Sequence, residues 1–239
     1  MRAVLAQAWA HYRQNFWLIN ALLMAIWTPA QFVFSYLTYH GSALDEAYLY
    51  QKLSIFYFQL IGVISTTGML FVFRERADGY QPGFLAALGF GLKYWGRMFI
   101  TRVVVSLLVF LGFALLVFPG VYLAVRTSLS ESVVAAEGKA GAAAVRRSGE
   151  LTRNRFGEIL LWWLAGLAPI LLFIALTTCL LELDAFNDWI SQAILCSLQD
   201  FTIPMIYSLG WAIYSRVRKD ETDTKSPSPA APPAQAGPS

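Results

Sequence analysis

Four ionisable side chains stand inside otherwise apolar stretches of this chain: Arg102, Arg126, Glu131 and Asp200. A charge at the centre of a bilayer costs roughly 3 kcal/mol on insertion scales, so each of them needs a partner. Three kinds of chemistry fit. Such residues could pair and hold helices together, line a hydrated path for protons or a polar substrate, or hold the headgroup of a lipid. Arg126 and Glu131 are the obvious first pair, but at 100° per residue they project about 140° apart on a helix. Depth suggests another arrangement. Glu131 meets Arg102 in the inner half of the membrane, and Arg126 meets Asp200 nearer the middle or outer half, where Pro204 kinks the last span. The bland alternative for Arg126 is a head that snorkels to water along its aliphatic stem. Structural pairing is the leading reading.

Just downstream lies a basic, amphipathic stretch carrying Glu137, Arg146, Arg147, Glu150, Arg153 and Arg155. Arginines at a membrane surface attract anionic headgroups at about 1 kcal/mol each. Glu150 lies one helical turn from Arg146, Arg147 and Arg153, so part of that charge is tied up within the helix. The partners implied are membrane lipids with anionic headgroups, and a second membrane protein. Nothing points to nucleic acid.

Catalytic patterns do not appear. The sequence has no GxSxG, HExxH, P-loop or dinucleotide fingerprint. His11 and His40 stand alone, so neither a metal nor another cofactor is expected. Cys179 and Cys196 read as packing thiols, although they flank an expected outer loop where a disulfide could form.

These residues must be positioned by membrane helices. Hydrophobic residues make up 57% of the chain and charged residues 14%, well below the roughly 25% charged residues of a soluble domain. Five segments reach the roughly 20 apolar residues a crossing needs: 16–39, 53–73, 99–118, 159–181 and 189–215. A sixth, 119–136, is more polar. With six spans and both termini inside, fourteen basic residues, from Arg2 to Lys219, collect on the inner side. The outer loops keep only Lys52 beside Asp45, Glu46, Glu182, Asp184 and Asp188. That asymmetry follows the positive-inside rule. Without a crossing at 119–136, the basic segment from Lys139 to Arg155 would fall outside. The expected fold class is therefore an all-α membrane protein with six transmembrane helices and cytoplasmic termini.

Three segments resemble one another: VLAQAWAHYRQNF, FLAALGFGLKYWGRMF and AAAVRRSGELTRNRF, each leading into a span at Phe16, Phe99 or Phe156. Residues 1–219 thus form one membrane domain that divides into repeats 1–79, 80–137 and 138–219, each an interfacial amphipathic helix plus a transmembrane hairpin. The expected apolar faces are Phe84, Leu88, Leu92, Trp95 and Phe99 in the second copy, and Ala142, Val145, Gly149, Thr152 and Phe156 in the third. Residues 220–239, rich in Pro, Ser and Ala, read as a disordered cytoplasmic tail.

The motifs PGVYLAVR at 119–126, Glu137, AVRRSGELTRNRF at 144–156 and AIYSRVRK at 212–219 together resemble the membrane domain fused to some bacterial glycerophosphodiester phosphodiesterases, and its stand-alone, uncharacterised multi-pass relatives. The resemblance covers most of 1–219 and is most specific over 119–156. It implies six spans in a bacterial cytoplasmic membrane. It carries no activity over, because the phosphodiesterase chemistry of fused members belongs to a separate soluble barrel. Relatives also carry an acidic residue before the final basic pair, where this chain has Ser215.

The functional expectation is a non-enzymatic membrane module that organises partners or supports envelope and lipid homeostasis. The alternatives are a transporter or lipid-handling protein with a polar path in the bundle, and an accessory subunit of a lipid or glycerophosphodiester enzyme.

Overall fold

A computed structural model describes residues 2–41, 44–181 and 188–225, and these are helical throughout, with no strand among them. In chain order the helices are α1 (Arg2–Gln14), α2 (Phe16–His40), α3 (Leu44–Leu60), α4 (Val63–Ala77), α5 (Phe84–Leu115), α6 (Val117–Thr127), α7 (Ser130–Glu137), α8 (Ala142–Thr152), α9 (Phe156–Leu181), α10 (Trp189–Asp200) and α11 (Thr202–Lys225). Four stretches are long and apolar enough to cross a membrane: Phe16–His40, Tyr48–Ala77, Phe84–Leu115 and Phe156–Leu180. Their outer faces carry exposed apolar side chains, with Phe110 68% and Leu172 72% exposed. A continuous surface of that kind belongs in lipid.

Several expected boundaries change. The second amphipathic segment and its span are one helix: α5 runs through Phe99 without a break. The fourth expected span, 119–136, is two helices meeting at Ser128 and Leu129, and 189–215 is divided at Phe201. The last division has a local cause, since Pro204 has no N–H to give the Asp200 carbonyl. Helix α11 also continues past residue 219 to Lys225, into the segment expected to be unstructured, and 226–239 lie outside the described residues. Of the outer-loop acids, Glu182 and Asp184 lie outside them too, as does the side chain of Asp45.

Each interruption falls in the second half of an expected hairpin, at 61–62, 128–129 and 201, and at the first two side chains from elsewhere close the gap. At the first, the Leu60 carbonyl accepts the Trp95 indole N–H at 2.6 Å. Gly62 is required there, because a Cβ would stand 2.4 Å from the Phe58 carbonyl oxygen and 2.8 Å from the Trp27 ring. At the second, Ser148 of α8 serves both sides: its hydroxyl donates to the Arg126 carbonyl at 2.7 Å and accepts the Leu129 N–H at 3.2 Å. Broken backbone in a membrane is tolerated only where protein satisfies it. Ser148→Ala therefore leaves a buried Leu129 N–H without its acceptor, and thermal unfolding in detergent should show a loss of about 1–3 kcal/mol.

The inward faces are built largely from small residues. In α1 the buried residues are Val4, Ala8 and Tyr12, and in α8 Ala144, Ser148, Gly149, Leu151 and Thr152. In the first half of α5 they are Ala87, Gly91 and Met98, with Trp95 half-buried. Val4, Ala8 and Tyr12, then Ala87, Gly91 and Trp95, then Ala144, Ser148 and Thr152 precede Phe16, Phe99 and Phe156 by the same intervals. Of the expected faces, Phe84, Leu88, Trp95, Phe99 and Phe156 pack against the core and Gly149 and Thr152 are buried, whereas Leu92 and Ala142 are exposed. In lipid there is no drive to hide leucine, so small residues take the closest helix contacts and a leucine such as Leu92 can face the acyl chains. Helix α1 packs on α11, the first half of α5 on α4, and α8 on α7, while α4, α7 and α11 contact one another at the centre.

Candidate functional site

The centre of the bundle holds the first pair of charges. Arg102, on α5, faces Glu131, on the first turn of α7, through two hydrogen bonds of 3.1 Å, from Nε to Oε1 and from Nη2 to Oε2. The same Nη2 reaches the hydroxyl of Thr66 on α4 at 3.2 Å and the phenol oxygen of Tyr207 on α11. A planar guanidinium fork matches a carboxylate in this way, which is why arginine suits a desolvated pair. One cation thus ties together α4, α5, α7 and α11. Thr66 and Tyr207 were not among the expected site residues, although both are polar groups in apolar runs. Beside this cluster, a cavity of about 290 Å³ is lined by Glu131, Ser132 and Tyr207, by Val105 and Val109, and by Trp163, whose indole N–H has no partner.

The second expected pair does not form. Arg126 donates from Nη1 to the Tyr122 hydroxyl at 2.9 Å and from Nη2 to the Gly149 carbonyl on α8 at 2.8 Å. Asp200 accepts instead from the Gln31 amide of α2 at 3.2 Å. The physical reason is the packing of α6 and α10. Short α6 folds back along α5 and sets Arg126 against α8, whereas α10, which carries Asp200, packs on α2. The fold-back needs Gly112 and Gly120, since a Cβ on Gly112 would lie 2.9 Å from the Gly120 Cα.

Arg126 therefore joins the basic segment. With Arg146, Arg153 and Glu150 it lines a crevice of about 450 Å³ whose apolar wall includes Leu108 and Leu123. Glu150 lies 3.8 Å from Arg146 and 3.6 Å from Arg147. Arg126 also sits over the Tyr122 ring, 5.5 Å from its centre.

The remaining candidates turn away from that crevice and bind the protein to itself. Glu137 accepts from Lys139 at 2.8 Å, from Arg147 at 3.2 Å and from the Tyr214 hydroxyl at 3.2 Å. Arg147 continues to Glu221 at 2.6 Å, and Arg155 bridges to Asp220 at 2.6 Å and Glu158 at 3.3 Å. Glu137, Arg147 and Arg155, expected to make headgroup or partner contacts, are thus engaged within the chain. They join the ends of α7, α8 and α11. Burial alone would push the Glu137 carboxyl up, but hydrogen bonds from Lys139 and Arg147 overcome it and hold the group below the usual carboxylate range. A carboxyl lowered in the folded state adds stability that is complete above its ordinary value and is lost as pH falls through the window beneath it. The wild type should therefore lose more thermal stability than Glu137→Gln between about pH 5 and pH 3.

Cys179 and Cys196 are both free thiols. Among the described residues, no three His, Cys, Asp or Glu side chains gather as a metal site would require.

Membrane-length apolar helices, an internally paired charge cluster and an apolar outer surface define an all-helical integral membrane protein. The chain is similar to a UPF0259 membrane protein of Pectobacterium carotovorum subsp. carotovorum, a member of an uncharacterised bacterial membrane family, with 33% identity over 117 residues. The matched stretch spans 47% of this chain and 47% of that relative, about half the length of each. No family model matches the chain, and no solved structure is similar to it.

Proposed function

We propose that this protein is a non-enzymatic, multi-pass module of the bacterial cytoplasmic membrane that holds anionic lipid headgroups and so supports envelope and lipid homeostasis. Its six crossings come from three repeats of amphipathic helix plus hairpin, at 1–79, 80–137 and 138–219, with both termini on the cytoplasmic side. What supports the repeats is the equal spacing of inward positions before Phe16, Phe99 and Phe156, and the cyclic packing of each amphipathic helix on the preceding hairpin. Helices α6 and α7 together, at about 1.5 Å per residue, have the length to cross roughly 30 Å of hydrocarbon.

One observation carries the function. Arg102 and Glu131 satisfy each other, whereas Arg126, Arg146 and Arg153 line a crevice with a single carboxylate and an apolar wall. A phosphate set among those arginines could run its acyl chains past Leu108 and Leu123. At about 1 kcal/mol per arginine, removing Arg126 and Arg153 together should weaken retention of phosphatidylglycerol about thirtyfold. Native mass spectrometry of protein purified in sugar-based detergent measures this. Equal retention by wild type and Arg126→Ala/Arg153→Ala would refute the headgroup assignment.

A second reading rests on the cavity beside Glu131, where the unpartnered Trp163 N–H could meet a polar group inside the membrane. It favours a lipid-handling protein. The resemblance to the membrane domain of glycerophosphodiester phosphodiesterases fits either reading, as a membrane partner for lipid enzymes acting elsewhere.

A further inference from the structure

At the other side of the helix ends, where α4, α7 and α11 converge, a separate crevice of about 410 Å³ opens between helices. Arg74 and Asp78 line it from the end of α4, and Trp211, Tyr214, Ser215 and Arg218 from α11. None of these residues belongs to the Arg126 crevice.

The donors there outnumber their acceptors. Trp211 is only 3% exposed, yet its indole N–H has no hydrogen-bond partner. A buried N–H left unpaired costs free energy that a bound acceptor would return. Arg218 makes one long contact, from Nη1 to the Tyr214 hydroxyl at 3.4 Å, and no ion pair among the described residues. Arg74 is partly engaged, with Glu75 at 2.7 Å and the Ala135 carbonyl at 3.2 Å. The Tyr214 hydroxyl donates to Glu137. Two guanidinium groups, an indole N–H and the Ser215 hydroxyl thus face one space from different helices. Asp78 is the opposing charge on its rim.

We infer that this crevice is an anion site for a phosphate group, with Arg218 as its main cation and the Trp211 N–H as a fixed donor. A tetrahedral oxyanion offers acceptors in several directions at once, as donors arriving from two helices require, and arginine forks favour it. The volume exceeds that of a bare phosphate and leaves room for an ester substituent, whose hydroxyl or amine Asp78 can accept from. The phosphate can arrive on a soluble ester or on a lipid headgroup.

The test uses the full chain in sugar-based detergent, titrated with glycerol 3-phosphate in one arm and short-chain phosphatidic acid in the other. Binding is read by equilibrium dialysis and by the shift in thermal midpoint. Arg218 lies on the surface, so Arg218→Gln should fold normally, and its midpoint without ligand confirms that. Saturable binding is expected, weakened about tenfold by Arg218→Gln and severalfold by Trp211→Phe; the phosphatidic acid arm is run in the Arg126→Ala/Arg153→Ala background, so that only this crevice is read. Binding in the glycerol 3-phosphate arm assigns a soluble ester, and binding in the phosphatidic acid arm alone assigns a lipid headgroup. Absence of binding in both arms, or binding indifferent to Arg218→Gln, overturns the site. Because the two crevices share no residue, this outcome is independent of the headgroup assignment at Arg126.

Discussion

Replacing Arg102 with leucine should destabilise the protein by about 3–5 kcal/mol, the usual result of removing one member of a buried ion pair. The cost comes from what stays behind. Glu131 loses both of its 3.1 Å bonds, and the Thr66 and Tyr207 oxygens lose their shared donor. Glu131→Leu should cost a similar amount, since it strands a guanidinium whose side chain is only 16% exposed. The double variant, with two apolar groups facing each other, should lose clearly less than the sum, with a coupling of about 1–3 kcal/mol. Unfolding of the four proteins in one detergent measures it. Simple additivity would mean that the pair holds nothing together.

Gly91→Val should be the most damaging change outside the charges. A Cβ at this position would lie 2.3 Å from the Ile64 carbonyl oxygen, and that oxygen belongs to a helix backbone that cannot swing aside. Gly68 makes the reciprocal approach, with a Cβ there reaching 2.9 Å from the Ala87 carbonyl oxygen. Helices α4 and α5 therefore meet backbone to backbone through Gly68, Ala87 and Gly91, the small-residue contact that lipid-embedded helices use. Forcing them apart should cost about 1–3 kcal/mol even after relaxation. It should also loosen the Thr66–Arg102 bond that spans the same two helices. Gly89→Val, on the same helix with open space around it, is the control. It should show only a small propensity change.

Much of this was legible from residue types. Apolar runs marked the membrane helices, and Phe16 and Phe156 marked real helix starts. Arg126 and Glu131 do stand apart, although a break at Ser128 and Leu129 lies between them where a continuous helix was expected. The inward faces were harder to read, because hydrophobicity points to the lipid rather than the core once the solvent is a bilayer. Phe84, Leu88, Trp95 and Phe99 were legible and do pack inward, but Leu92 faces out and the close contact is made by Ala87 and Gly91. The helix interruptions were also hidden. Their sequence trace is slight, since the groups that satisfy them, Trp95 and Ser148, lie 35 residues from Leu60 and 22 from Arg126.

By itself the sequence determined that this is a helical membrane protein with charges that must be paired, because burial of apolar surface and the cost of a lone charge depend on composition and local period. Which charges meet was decided only by the tertiary structure. Arg126 reaches the Gly149 carbonyl on α8 while Asp200 accepts from Gln31 on α2, and no local rule of the sequence encodes those partners. Partners on different helices are fixed by how those helices lie against one another, and that is set by contacts made far along the chain.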